Sequence, residues 1–107
     1  MIYSIGFTVS GMPLGCEGNK YMYIVGSAAL ILKELCGDYP SRWDCRKAWE
    51  MLPIFRNAYN QLNDNREKYD YFFSNSGWCD YDYISGILTE LISRCEAHPF
   101  ASIEVDR

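Results

Sequence analysis

The stretch Ile2-Tyr3-Ser4-Ile5-Gly6-Phe7-Thr8-Val9 decides the fold. Tyr3, Ile5, Phe7 and Val9 fall on one side of an extended chain, and Ser4, Gly6 and Thr8 on the other. This is the period-two pattern of a half-buried strand. A lone strand is marginal in water, so it needs a paired neighbour and a layer over its apolar side. The neighbour is at the far end of the chain, where Ala101-Ser102-Ile103-Glu104-Val105 alternates again with Ile103 and Val105 inward. The covering layer is the helical sequence between them.

Working inward from the first strand, Ser10–Lys20 carries Gly11, Pro13, Gly15 and Gly18 and reads as loop. Its G-x-x-x-G-x-x-G spacing matches neither dinucleotide-binding nor P-loop patterns. Lys20–Val25 stays open between strand and helix onset, although Tyr21, Tyr23 and Val25 alternate. Ser27 is placed to cap a helix over Ala28–Leu35, and Gly37 to stop it. A second helix is expected to begin near Ser41–Asp44, with Cys45, Ala48, Trp49, Leu52, Tyr59 and Leu62 as its buried stripe. Pro53 either kinks this run or starts a new helix, because it removes a backbone donor. Asp64 and Glu67 open a short helix through Phe73 with Tyr69, Phe72 and Phe73 on its apolar face. Asp80 caps the last helix, whose stripe is Ile84, Ile87, Leu88, Leu91, Ile92 and Cys95. His98-Pro99 ends it. The expected fold is a single α+β domain over residues 1–107, β-α-α-α-β. Its N- and C-terminal strands pair in a small sheet that helices cover on one face.

Charge narrows the partners. Ten Lys and Arg against fourteen Asp and Glu give a net charge of −4. Residues 1–53 are balanced, so the whole excess lies in the second half. A duplex-binding protein shows the opposite balance, because phosphate neutralisation supplies most of its affinity. Direct nucleic-acid binding is therefore not expected. The uncharged apolar run Tyr21–Leu32 has twelve residues, against about 20 for a membrane span. No basic segment leads an apolar one at the start, so neither membrane insertion nor secretion is expected.

The five cysteines (Cys16, Cys36, Cys45, Cys79 and Cys95) are odd in number and contain no C-x-x-C pair. They read as reduced thiols of a cytoplasmic protein. Cys36, Cys45 and Cys95 are expected on apolar helix faces, while Cys16 and Cys79 are the thiols expected to be exposed. His98 is the single histidine, so a metal site lacks ligands and nucleophilic catalysis lacks a positioned base. No enzyme and no cofactor is expected.

The densest unusual stretch is Tyr69–Tyr83, in which seven of fifteen residues are aromatic and Asp70, Asp80 and Asp82 are interleaved. Tyrosine and tryptophan anchor interfaces by offering large rigid area with one polar end. Trp78, Asp80, Tyr81, Asp82 and Tyr83 are the candidate partner-binding residues. The plainer reading puts Phe72, Phe73 and Trp78 in the core. A second cluster places Arg42 and Arg46 on one helix face, as an anion contact or simply a solvated helix surface.

The run Asn75-x-Gly77-Trp78-x-Asp80-Tyr81, followed by Cys95-Glu-x-His98-Pro99-x-Ala101-x-Ile103-x-Val105, resembles a family of small bacteriophage- and prophage-encoded proteins. The likeness covers about the last 33 residues; Tyr3–Val9 and Pro53 match the family's opening strand and Pro-containing central helix. Cys79 departs from the small residue usual there. The resemblance implies a phage-borne accessory protein in the cytoplasm of a bacterial host, and it implies no catalytic residues. Two functions are then expected. One is a non-enzymatic inhibitor that binds a host protein, with a host defence complex as the target, through an acidic aromatic surface facing a basic one. The other is a module that sequesters a nucleotide signal, with aromatics on the base and Arg42 or Arg46 on phosphate. The composition leaves homo-oligomerisation open.

Overall fold

The computed structural model describes residues 2–9, 12–13, 21–69 and 81–106. The terminal strands pair as expected. Strand β1 (Ile2–Val9) is central, and β4 (Ser102–Asp106) runs antiparallel along one side, with Ile5 opposite Val105 and Phe7 opposite Ile103. On the other side lies β3 (Tyr21–Val25), also antiparallel, with Tyr3 opposite Ile24 and Ile5 opposite Met22. The open choice over 20–25 therefore resolves as strand. Met12–Pro13, expected as loop, adds a two-residue strand, β2, opposite Thr8 and Val9.

Three helices follow: α1 (Ala29–Cys36), α2 (Ala48–Asp64) and α3 (Tyr81–Ala97). A further helical segment covers 66–69. Gly37 stops α1 at φ 92°, a left-handed conformation that glycine adopts without Cβ crowding, and its N–H reaches the Lys33 carbonyl at 2.8 Å. Ser27 lies in a 3-10 turn (Gly26–Ala28), and Ala28 takes the cap position of α1.

The second helix departs from the sequence reading. It starts at Ala48, after a 3-10 turn over Pro40–Trp43 and a bend at Cys45, which holds φ 67°. That left-handed residue turns 45–48 along the free side of β4. Cys45 N–H reaches the Ile103 carbonyl at 2.8 Å, and Ile103 N–H returns to the Arg46 carbonyl at 2.7 Å. Ala48 N–H then reaches the Ala101 carbonyl at 2.8 Å. Pairing with the strand takes these residues from the helix, so the buried stripe of α2 is Ala48, Met51, Phe55, Ala58 and Leu62. Cys45 and Trp49, expected inside, are exposed. Of the two outcomes expected of Pro53, a new helix is not the one found; α2 runs through it. Lys47 N–H donates to Glu50 Oε1 at 3.3 Å, which satisfies one free donor at the helix start.

The core lies between the helices and one face of the sheet. Tyr3, Ile5, Phe7, Ile24 and Ile103 meet Leu32, Phe55 and Leu62, and Ile84, Ile87, Leu88, Leu91 and Cys95 of the expected α3 stripe, whose sixth residue, Ile92, is half-buried. Trp43 packs edge-on against Phe55 at 5.0 Å between ring centres. Each fully buried Leu, Ile or Phe contributes roughly 1.5–3 kcal/mol. Among the described residues, no helix is long and apolar enough to cross a membrane.

Candidate functional site

With the helices on one side, the other face of the sheet meets solvent. Residues opposite one another in an antiparallel pair share a face, so the register writes this surface in rows. Ser4 has Tyr23 on one flank and Asp106 on the other; Gly6 has Tyr21 and Glu104. Small residues therefore form the floor of a shallow trough, half-buried at Ser4 and covered at Gly6 by the Tyr21 ring. Tyrosines stand along one side and carboxylates along the other, roughly 10 Å apart across two strand spacings. Ile2, 56% exposed, continues the β1 row opposite Val25, and Tyr23 is 65% exposed.

Gly6 is a requirement of this surface. A Cβ there would sit 2.7 Å from Cδ1 and Cε1 of Tyr21, so the bare backbone lets the tyrosine ring lie across the strand. At the far end, Lys47 Nζ donates to Ser102 Oγ at 3.2 Å. Beside it, the Cys45 thiol is exposed and its pKa is raised, first by the Asp44 carboxylate at its side and more weakly by Glu104. The combination of π faces and carboxylates suits a cation: a lysine or arginine side chain can lie over a ring and end at a carboxylate.

Of the residues expected from the sequence, the described ones lie outside these rows. Trp78 and Asp80 lie outside the described residues, as do Cys16, Cys79, Phe72 and Phe73. Tyr81 is half-buried; its hydroxyl bonds Asn63 Oδ1, and its ring lies 4.2 Å from the Arg66 guanidinium carbon. Tyr83 is half-buried, and its hydroxyl accepts the Val25 N–H at 3.2 Å. These two tyrosines thus tie α3 to the end of α2 and to β3. Asp82, between them, is exposed.

Arg42 and Arg46 do not share a helix face. Arg42 belongs to the 3-10 turn and Arg46 follows the bend at Cys45, where its guanidinium lies 3.8 Å from the Glu50 carboxylate. The helix assumed for this pairing begins only at Ala48.

A second exposed apolar pair is Trp49, 55% exposed, and Phe100, 80% exposed. Trp49 N–H donates to the Pro99 carbonyl at 3.0 Å, which brings the two segments together. Arg46 forms an ion pair with Glu50, and Arg56 with Glu96.

Cys36, Cys45 and Cys95 are free thiols. Burial pushes the Cys95 thiol up to about 12, which keeps it protonated and unreactive. Among the described residues, no group of three or more His, Cys, Asp or Glu side chains converges to hold a metal ion. Against known protein families, curated proteins and solved structures, the chain returns no match. The sequence reading missed Tyr21, Tyr23, Glu104 and Asp106 as one surface. The signal was present in the alternation of Tyr21 and Tyr23, but their faces follow only from the register with β1.

Proposed function

We propose that this chain is a non-enzymatic, phage-type accessory protein whose outer sheet face binds a basic surface on a bacterial host protein. The target we propose is a component of a host defence complex. One observation carries the reading: the tyrosine row and the carboxylate row flank a floor of Ser4 and Gly6. This face is a different one from the Trp78–Tyr83 surface expected from the sequence, although it too combines tyrosines with carboxylates. Exposed tyrosine supplies contact area that loses little conformational freedom on binding, while the carboxylates steer a basic partner into place.

The test is capture from a host lysate by the wild-type chain and by a Tyr23→Ala, Glu104→Gln double variant. The wild type is expected to retain a basic-surfaced protein, with recovery falling as salt rises from low to physiological strength. Tyr23→Ala is expected to weaken binding by about 1–3 kcal/mol if Tyr23 is an anchor. Recovery of the same partner in equal amount by both folded forms contradicts the proposal.

A further inference from the structure

The two edges of the sheet are treated differently. On the β4 side, Ile103 N–H goes to the Arg46 carbonyl and Val105 N–H to Asp44 Oδ1 at 2.8 Å, so that edge is covered. These two bonds also fix the ladder. Because Ile103 and Val105 point away from β1, the alternation of an antiparallel sheet turns Ser4, Gly6 and Thr8 toward β4 and Tyr3 and Ile5 toward β3. On β3, Met22 and Ile24 therefore bond to β1, while Tyr21, Tyr23 and Val25 point outward. The Val25 N–H going to Tyr83 agrees with this assignment. Thr8 opposite Pro13 agrees as well, since that register position asks no N–H of the proline.

The outward N–H and C=O groups of Tyr21 and Tyr23 have no hydrogen-bond partner among the described residues. Open edges are normally guarded by charge, proline or a bulge. Tyr-Met-Tyr-Ile-Val has none of these.

We infer that β3 pairs with β3 of a second copy of this chain, antiparallel about a two-fold axis at Met22. Tyr83 sets the register. It occupies the Val25 N–H, so pairing centred on Tyr23 would compete with it. Pairing centred on Met22 puts Tyr21 opposite Tyr23 of the second copy, and the reverse. Each such pair exchanges two hydrogen bonds, and the resulting four use the open groups while leaving Val25 with Tyr83. The contact is isologous, so it closes as a dimer and does not extend into fibres. Charge fits a self-contact too. The molecule carries −4 overall, yet the strand is uncharged, so no like charges meet across the axis. A basic extended peptide would find no carboxylate along this strand to favour it over a second copy. The four tyrosines meet on the outer face, joining two troughs into one surface. The inference stands apart from the proposed function, because it uses the backbone edge and not the trough.

The test is sedimentation of the full chain across a concentration series, joined to amide hydrogen exchange. The wild type is expected to approach twice its 12.4 kDa chain mass, with the Tyr21 and Tyr23 amides protected in the dimer and fast on dilution. The Val25 amide stays protected throughout. Tyr23→Pro removes one outward donor without touching the ladder to β1, and is expected to raise the dimer dissociation constant about tenfold or more. Tyr23→Thr keeps the N–H and is expected to remain dimeric, even where it loses a basic partner. A wild type that stays monomeric at every concentration overturns the inference. So does a dimer whose Tyr21 and Tyr23 amides exchange as fast as in the monomer, a reading that does not depend on how any variant folds.

Discussion

The bend at Cys45 closes the β4 edge, and its conformation gives a prediction with a definite sign. Cys45 holds φ 67°, a region that costs an L-residue about 1–2 kcal/mol. Glycine escapes that cost, but it also adds freedom to the unfolded chain worth about 0.4–1 kcal/mol. The thiol is exposed and touches Asp44 Oδ2 only at 3.6 Å, so little contact is lost. Cys45→Gly is therefore expected to stabilise the fold by about 0.5 kcal/mol. Cys45→Val crowds a β-branched side chain into the same backbone and is expected to destabilise by more than about 1 kcal/mol. The gap between the two variants, about 1.5 kcal/mol or more, corresponds to roughly 6 °C or more in melting temperature for a chain near 100 residues. Urea and thermal unfolding of the three proteins measure it. A valine variant as stable as the glycine variant refutes the claim that a left-handed residue at 45 holds the edge segment in place.

Two further outcomes follow from the core. Deleting residues 100–107 removes Ala101 and Ile103 from the core and uncovers one whole side of β1, so the shortened chain is expected to lose its cooperative melt; a transition near the wild-type temperature contradicts the terminal pairing. Cys95 is fully buried and its thiol is pushed up to about 12 from 9.0. The unfolded chain then loses this proton first, so stability is full below pH 9 and falls toward pH 12, by about 1.4 kcal/mol per pH unit for this group. Cys95→Ala is expected to flatten that part of the alkaline decline, read from urea unfolding at stepped pH; an unchanged slope rules out the buried thiol as its source.

The paired terminal strands and α3 were legible because their signals are local. Alternation in Tyr3–Val9 and the helical spacing from Ile84 to Cys95 each point to one face, and the structure buries Tyr3, Ile5 and Phe7 and most of the helix stripe, while Val9 at the strand end is exposed and Ile92 half-buried. The start of α2 was not legible. Nothing in Arg42–Lys47 announces that Cys45 turns left-handed and lends 45–48 to the edge of a strand more than fifty residues away. That one tertiary contact rotates the helix stripe and puts Trp49 in solvent. The candidate site was hidden for a related reason. Tyr21, Tyr23, Glu104 and Asp106 lie far apart in sequence and meet only through β1, whereas the aromatic run ending at Tyr83 is conspicuous in sequence. In the fold, Tyr81 and Tyr83 carry structural bonds to Asn63 and Val25.

The most direct test of the binding face is a residue-resolved amide spectrum of the labelled full chain, titrated with the basic host protein that it captures. The account predicts that shifts concentrate on Ser4, Gly6, Tyr21, Tyr23 and Glu104, and that they shrink as salt is raised. Shifts confined to Trp49 and Phe100, or to Tyr81–Tyr83, with the outer sheet face silent, would contradict it.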